Sequence, residues 1–158
     1  MSELRRSVNY GLTPKHMKKF LLPFCSLAFA VAVYAADIPE EKELKSMSQS
    51  SLLSFNQSVL KKDFSGFYDE IAALWQEQTT PEKLQTLFKD FIDKEIDLSP
   101  IKKLEPVLSS PAAIDSDGVL VVKGYYPTTP ARTIFQLKYL EEKGDWKLVG
   151  IKVDTKLD

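Results

Sequence analysis

The chain has 158 residues, with 21 Lys and Arg against 22 Asp and Glu, and a single Cys and a single His. At 44% hydrophobic and 27% charged residues it has the composition of an ordinary globular protein of one domain, which argues against collagen-like, low-complexity and wholly disordered chains. Position matters more than these totals, because His16 and Cys25 both fall in the first 35 residues.

Met17 opens the run MKKFLLPFCSLAFAVAVYAAD, in which Lys18 and Lys19 precede an apolar stretch and then a small-residue site. These are the three parts of a secretory signal peptide. Residues 1–35 are read as that leader, with Met17 as the start and the cut between Ala35 and Ala36; the mature chain is then secreted or periplasmic, with no stable membrane insertion after cleavage. The competing reading, an uncleaved anchor, has only Phe20 to Ala36 to span with. At about 1.5 Å per residue that helix falls short of a hydrocarbon core of about 30 Å. Removing the leader's five bases and one acid leaves 16 bases against 21 acids, with neither Cys nor His. Without those residues there is no disulfide framework, no usual zinc site, and no hydrolase that relies on an imidazole base. The acidic balance, with Arg132 the sole remaining arginine, speaks against nucleic-acid partners. No cofactor or metal is expected.

Residues 36–45 (ADIPEEKELK) are charged and contain Pro39, and read as a mobile mature N-terminus; one domain follows over 46–158. Leu52, Phe55 and Val59 recur at helical spacing and predict a first helix from Ser46 to about Leu60. Asp63 or Ser65 then caps a second helix, whose stripe is Phe67, Ile71, Leu74 and Trp75. Thr79, Thr80, Pro81 and Glu82 start a third, either as a capping box from Thr79 or with Thr80 as cap and Pro81 in the first position. Its stripe is Leu84, Leu87, Phe88, Phe91 and Ile92. Beyond Pro100 the period changes to that of strands. Asp117-Gly118 marks a hairpin between Ile114 and the run Val119 to Tyr126, and Lys143-Gly144-Asp145 marks another between Arg132 to Leu140 and Trp146 to Val153. An extra strand near Leu104 to Leu108 would lie at an edge because of Pro106.

The expected fold is α+β: three N-terminal helices packed on an antiparallel sheet of about four strands. In Trp146 to Val153 one parity carries Trp146 and Leu148 and the other Val149, Ile151 and Val153, so both faces read as apolar. Two explanations stand: a homodimer through the sheet face, or cover supplied by curvature and loops within one chain.

The order of elements, with LWQEQ closing the second helix, TPEKL opening the third, and GVLVVKGYYP and TIFQLKYLEEKGDWKLVGIKV forming the sheet, resembles the nuclear-transport-factor-2-like (cystatin-like) superfamily over roughly Ser46 to Asp154. The likeness is to its small secreted bacterial proteins of unassigned function. It implies a curved sheet and a cone-like cavity, in a superfamily of isomerases, dehydratases, ligand binders and interaction modules; fold alone does not choose between them. No position carries over from the Tyr and Asp pattern of its isomerases.

Trp75 and Tyr68, beside Phe67, offer an aromatic lining for an apolar ligand, although any core helix shows such a stripe. Tyr125, Tyr126 and Tyr139 could orient a ligand through their hydroxyls, or serve as strand formers. Asp115 and Asp117 are turn residues, since no calcium-loop spacing follows. Asp69 and Glu70 are the acids embedded in an aromatic segment, where they would also complement a helix N-terminus. The expectation is a non-enzymatic envelope module binding a small apolar ligand or an envelope protein through Trp75, Tyr68, Tyr125 and Tyr139. The alternatives are a cofactor-free lyase or isomerase using Tyr and Asp, and a structural assembly partner.

Overall fold

The computed structural model describes residues 37–157; the leader, its start at Met17 and its cleavage site lie outside them. The α1 helix spans Glu41–Lys61, so Glu41 to Lys45 belong to the helix and it begins before the expected Ser46. Leu44, Ser48, Leu52, Phe55 and Val59 form its buried stripe, a spacing of three and four that continues the sequence pattern toward the N-terminus. Lys62 ends it in a left-handed conformation (φ 55°), and the Lys62 and Asp63 amides return to the Val59 and Ser58 carbonyls.

The second and third expected helices are each broken in two. Asp63 accepts the Ser65 amide at 2.9 Å and starts α2 (Ser65–Glu70). Ile71 is extended there, and α3 (Ala73–Gln76) follows in a new direction. The break buries Ile71 and Ala72 but leaves Leu74 47% exposed, so Leu74 leaves the stripe assigned to it. Thr80, not Thr79, caps α4 (Pro81–Leu87), accepting the Lys83 amide with Pro81 in the first turn. Phe88 interrupts the helix before α5 (Lys89–Asp93), and Leu87 points outward at 65% exposure. A 3-10 helix, Ser99–Lys103, closes the helical half.

The sheet is antiparallel and five-stranded, rather than of four strands, with β1 (Val107–Leu108), β2 (Ala113–Ile114), β3 (Val119–Tyr126), β4 (Ala131–Glu142) and β5 (Asp145–Leu157). β1 and β2 both pair with β3 and together make one interrupted edge, while β3, β4 and β5 form a meander. The edge strand near Pro106 is thus present but short. Gly118 (φ 77°), Lys143 (φ 57°) and Gly144 (φ 92°) supply the left-handed conformations that the two tight turns need. Asp115 organises the first turn, its carboxylate accepting the Asp117 and Val119 amides at 3.0 Å.

One irregularity rearranges the faces. Lys138 pairs with Gly150 but Tyr139 pairs with Leu148, so Val149 is an extra residue, a β-bulge. The bulge inverts parity, and Trp146, Leu148, Ile151 and Val153 all fall on the face that carries Tyr139, Leu137 and Phe135. The two-faced apolar pattern of this strand is therefore a bulge and gives no sign of a second cover. The opposite face carries Lys123, Arg132, Lys138, Lys147 and Lys152 among Val121, Tyr125 and Ile134.

Inner-face side chains of β3 and β4 join those of all the larger helices in one core that includes Leu52, Phe55, Phe64, Phe67, Leu84, Leu120, Leu137 and Tyr139. Gly124 lies where the edge strand crosses the core: a β-carbon there would sit 2.6 Å from the Val107 carbonyl oxygen and 2.7 Å from the Phe135 ring. Gly124→Ala is expected to lower stability by about 1–3 kcal/mol through overpacking against backbone, read from urea denaturation.

Candidate functional site

The four residues expected to share a ligand do not share a pocket. Tyr68 and Trp75 sit together at the α2–α3 junction, half-buried; the Tyr68 hydroxyl donates to the Gln76 carbonyl at 3.3 Å, and the Trp75 ring meets Phe67 edge-on at 6.0 Å. Tyr125 faces the other side of the sheet, under the Arg132 guanidinium at 5.0 Å. Tyr139 is buried between the sheet and α1, where its hydroxyl and that of Ser51 are 3.0 Å apart. Sequence parity could not separate these, because the face a strand residue occupies depends on register.

Tyr126, a strand residue whose hydroxyl the sequence also offers for a ligand, holds the more unusual position. Its side chain is fully buried and its hydroxyl has no hydrogen-bond partner among the described residues. Burial raises the pKa of this phenol, and nearby Tyr139 adds to the effect. Burial likewise pushes Tyr139 up to about 12, against the opposing hydrogen bonds of Ser51 and Ser48. Both phenols hold their protons throughout the physiological range and can donate hydrogen bonds, but neither is tuned for proton transfer. The buried polar set otherwise comprises Ser48, Asn56, Ser58 and Thr133, with no carboxylate in it. Asp69 and Glu70 are exposed, and Glu70 accepts from Ser54 on the surface of α1.

Among the described residues, the space beside these phenols is small. A cleft of about 130 Å³ opens among Ser51, Phe67, Glu70, Trp146 and Leu148, small against the roughly 300–1,000 Å³ of ordinary ligand sites. A larger concavity, about 730 Å³, runs between the start of α1 and the β1–β2 edge. Leu44, Pro106, Val107, Leu108 and Ala112 form its apolar wall, Ile38 stands at its rim, and Glu41, Lys45 and Glu105 supply charge. Lys45 and Glu41 pair at 2.7 Å, and that bond is the main cause of the raised Lys45 pKa. Val107, in β1, is 44% exposed and Ile38, just before α1, is 47% exposed, so both present apolar surface at the groove.

One wall of this groove is fixed by α1. Gln49 donates to the Ile101 and Leu104 carbonyls at 2.9 and 3.0 Å. One heptad further on, buried Asn56 accepts the Leu98 amide at 2.7 Å and donates to Asp97 and Ser99. These amides hold the chain that leads into Pro106 along the helix. No signal in the sequence marks the groove, since its members come from α1 and from an irregular segment far along the chain.

Among the described residues, no helix is long and apolar enough to cross a membrane, and no group of three or more His, Cys, Asp or Glu side chains is placed to hold a metal ion. Compared with known proteins, the chain matches no family model, no curated protein and no solved structure.

The two phenols give opposite expectations. Tyr126→Phe removes an unpartnered buried hydroxyl and is expected to stabilise by about 1 kcal/mol, whereas Tyr139→Phe breaks the bond to Ser51 and costs about 1 kcal/mol, both read from urea denaturation. Because the Tyr139 pKa is raised in the folded state, the stability it lends is present below the unfolded value near 10 and is lost as pH rises toward the folded value. A tyrosinate absorbance titration should therefore show a late step coincident with unfolding, which disappears in the Tyr126→Phe, Tyr139→Phe double variant. Asp97 has the reverse sign: hydrogen bonds from Ser99 and then Asn56 lower its pKa. Its contribution is present above the unfolded value of about 3.9 and is lost as pH falls through the lower folded value, so Asp97→Asn should flatten the acid limb of the stability curve.

Proposed function

We propose that the chain is a non-enzymatic binding module of the nuclear-transport-factor-2-like type, exported to the periplasm or beyond, which engages its ligand or protein partner through the groove between α1 and the β1–β2 edge. The observation that carries this reading is the contrast between a filled interior and an open groove whose apolar wall ends in the exposed Val107 and Ile38. A cone occupied by Phe55, Phe67, Trp75 and Tyr139 has no room for the small-molecule turnover that other members of such a superfamily perform. Its phenols lack a neighbouring buried carboxylate to act with. The exposed rim suits an apolar ligand or an extended apolar segment of an envelope protein, which would be bordered by the Glu41–Lys45 pair and Glu105.

Native mass spectrometry of the protein recovered from its own compartment tests the reading. A retained ligand or partner should be lost in Val107→Glu, with an unchanged circular dichroism spectrum, and kept in Trp75→Ala. Loss in Trp75→Ala alone would move the site into the interior, and a wild-type protein that carries no added mass would count against a resident ligand altogether. The same spectrum reports the mature mass, and a chain that still includes Phe20 to Ala35 would overturn export by cleavage.

A further inference from the structure

The sheet has two edges, and they are treated differently. At one, β1 and β2 cover β3 beside the groove. At the other lies β5, the longest strand at 13 residues, and no described segment pairs with its outward side. The first part of that edge is occupied: the Ala72 amide donates to the Leu148 carbonyl at 2.8 Å, and the bulge at Val149 follows directly. From Gly150 onward the strand has neither device, nor a proline; of the means by which natural sheets blunt an exposed edge it has charged side chains, Lys152 and Asp154.

The open part is self-complementary in charge. Lys152 and Asp154 are both exposed and lie on the same, outer face, and Ile151 and Val153 lie on the inner face, half-buried against the core. When two copies pair antiparallel about a two-fold axis at Val153, Lys152 of each copy stands opposite Asp154 of the other. Ile151 then faces Thr155, and the two Val153 side chains meet on the inner face as an extension of both cores. Moving the axis by one residue sets Lys152 against Lys152 or Asp154 against Asp154, which like-charge repulsion opposes. An axis at Thr155 confines the paired overlap to residues 153–157.

We propose that this protein forms a homodimer by antiparallel pairing of its β5 edges, joining two sheets into one continuous sheet through the register centred on Val153. Such an interface is isologous and closes after one contact, so it consumes the open edge without propagating. Stacking of the outer faces is a poorer arrangement, because Lys123, Arg132, Lys138, Lys147 and Lys152 outnumber the acids of that face, Glu142, Asp145 and Asp154, and would crowd like charges against their own copies. The edge lies across the sheet from the groove, so the dimer leaves the proposed binding site open and stands independently of it.

Sedimentation of the mature protein at tens of micromolar, with charge-reversal variants, tests the pairing. Wild type is expected as a dimer. Lys152→Asp and Asp154→Lys, each of which creates two like-charge pairs across the axis, should each weaken association by about tenfold or more while leaving circular dichroism unchanged. Mixed in equal amounts, the two single variants should form a heterodimer, and the double variant should recover the homodimer. A monomeric wild type, a dimer that survives either single substitution, or single variants that stay apart on mixing would overturn the proposal.

Discussion

The Phe55 ring is the point on which the helical half depends. The helices α2 to α5 have between four and seven residues each, far fewer than the roughly 12–15 an isolated helix needs to persist in water. They are held by packing, and the rings of α2 and of the α4–α5 region converge on Phe55: Phe64, Phe67, Phe88 and Phe91 all meet it edge-on, with centroids between 4.8 and 6.2 Å away, while Trp75 of α3 joins through Phe67. Edge-to-face contacts of this kind add about 0.5–1.5 kcal/mol each beyond area burial, so the cluster stabilises the short helices jointly where none is stable alone. The α1 helix acts as the spine because it is long, and it carries Phe55 on one side and the Gln49 and Asn56 amides along another.

The same arrangement fills the space between α1 and the sheet. Ser48 and Ser51 on α1 are small, and the volume they leave is taken by the Tyr139 ring, whose hydroxyl Ser51 meets. A cavity there would need smaller residues on both sides of that contact. The groove outside escapes this closure because Pro106 ends the irregular segment and β1 is only two residues long, which leaves Val107 without a covering neighbour.

The sequence revealed what is decided locally. The start at Pro81, the Asp117-Gly118 turn, the Lys143-Gly144 turn and the change from helical to strand period near Pro100 all arise from residues within a few positions of one another, and the α+β class follows from them. The breaks at Ile71 and Phe88 were not legible, because each lies within a continuous apolar stripe and is imposed by the need to wrap around Phe55. The bulge at Val149 was hidden for a similar reason: an extra residue is defined by its partner strand, so a parity count along β5 alone reads it as a second apolar face. The dispersal of Tyr68, Tyr125 and Tyr139 follows from those same long-range choices. The unpartnered Tyr126 hydroxyl has no sequence signal at all.

The division of the chain has a kinetic consequence. Among the described residues the helical layer lies between Glu41 and Lys103 and the strands lie between Val107 and Leu157, with β3 pairing with β4 and β4 with β5. Most early contacts are therefore local, which favours rapid formation of both layers. The bonds that fasten one layer to the other are remote, as with Ser51 and Tyr139, 88 residues apart. Docking of two partly formed layers is then the late step of folding. A chain emerging N-terminus first during synthesis would expose the Phe55 cluster on its sheet-facing side until β4 arrives, a vulnerable interval that a holding chaperone would be suited to cover.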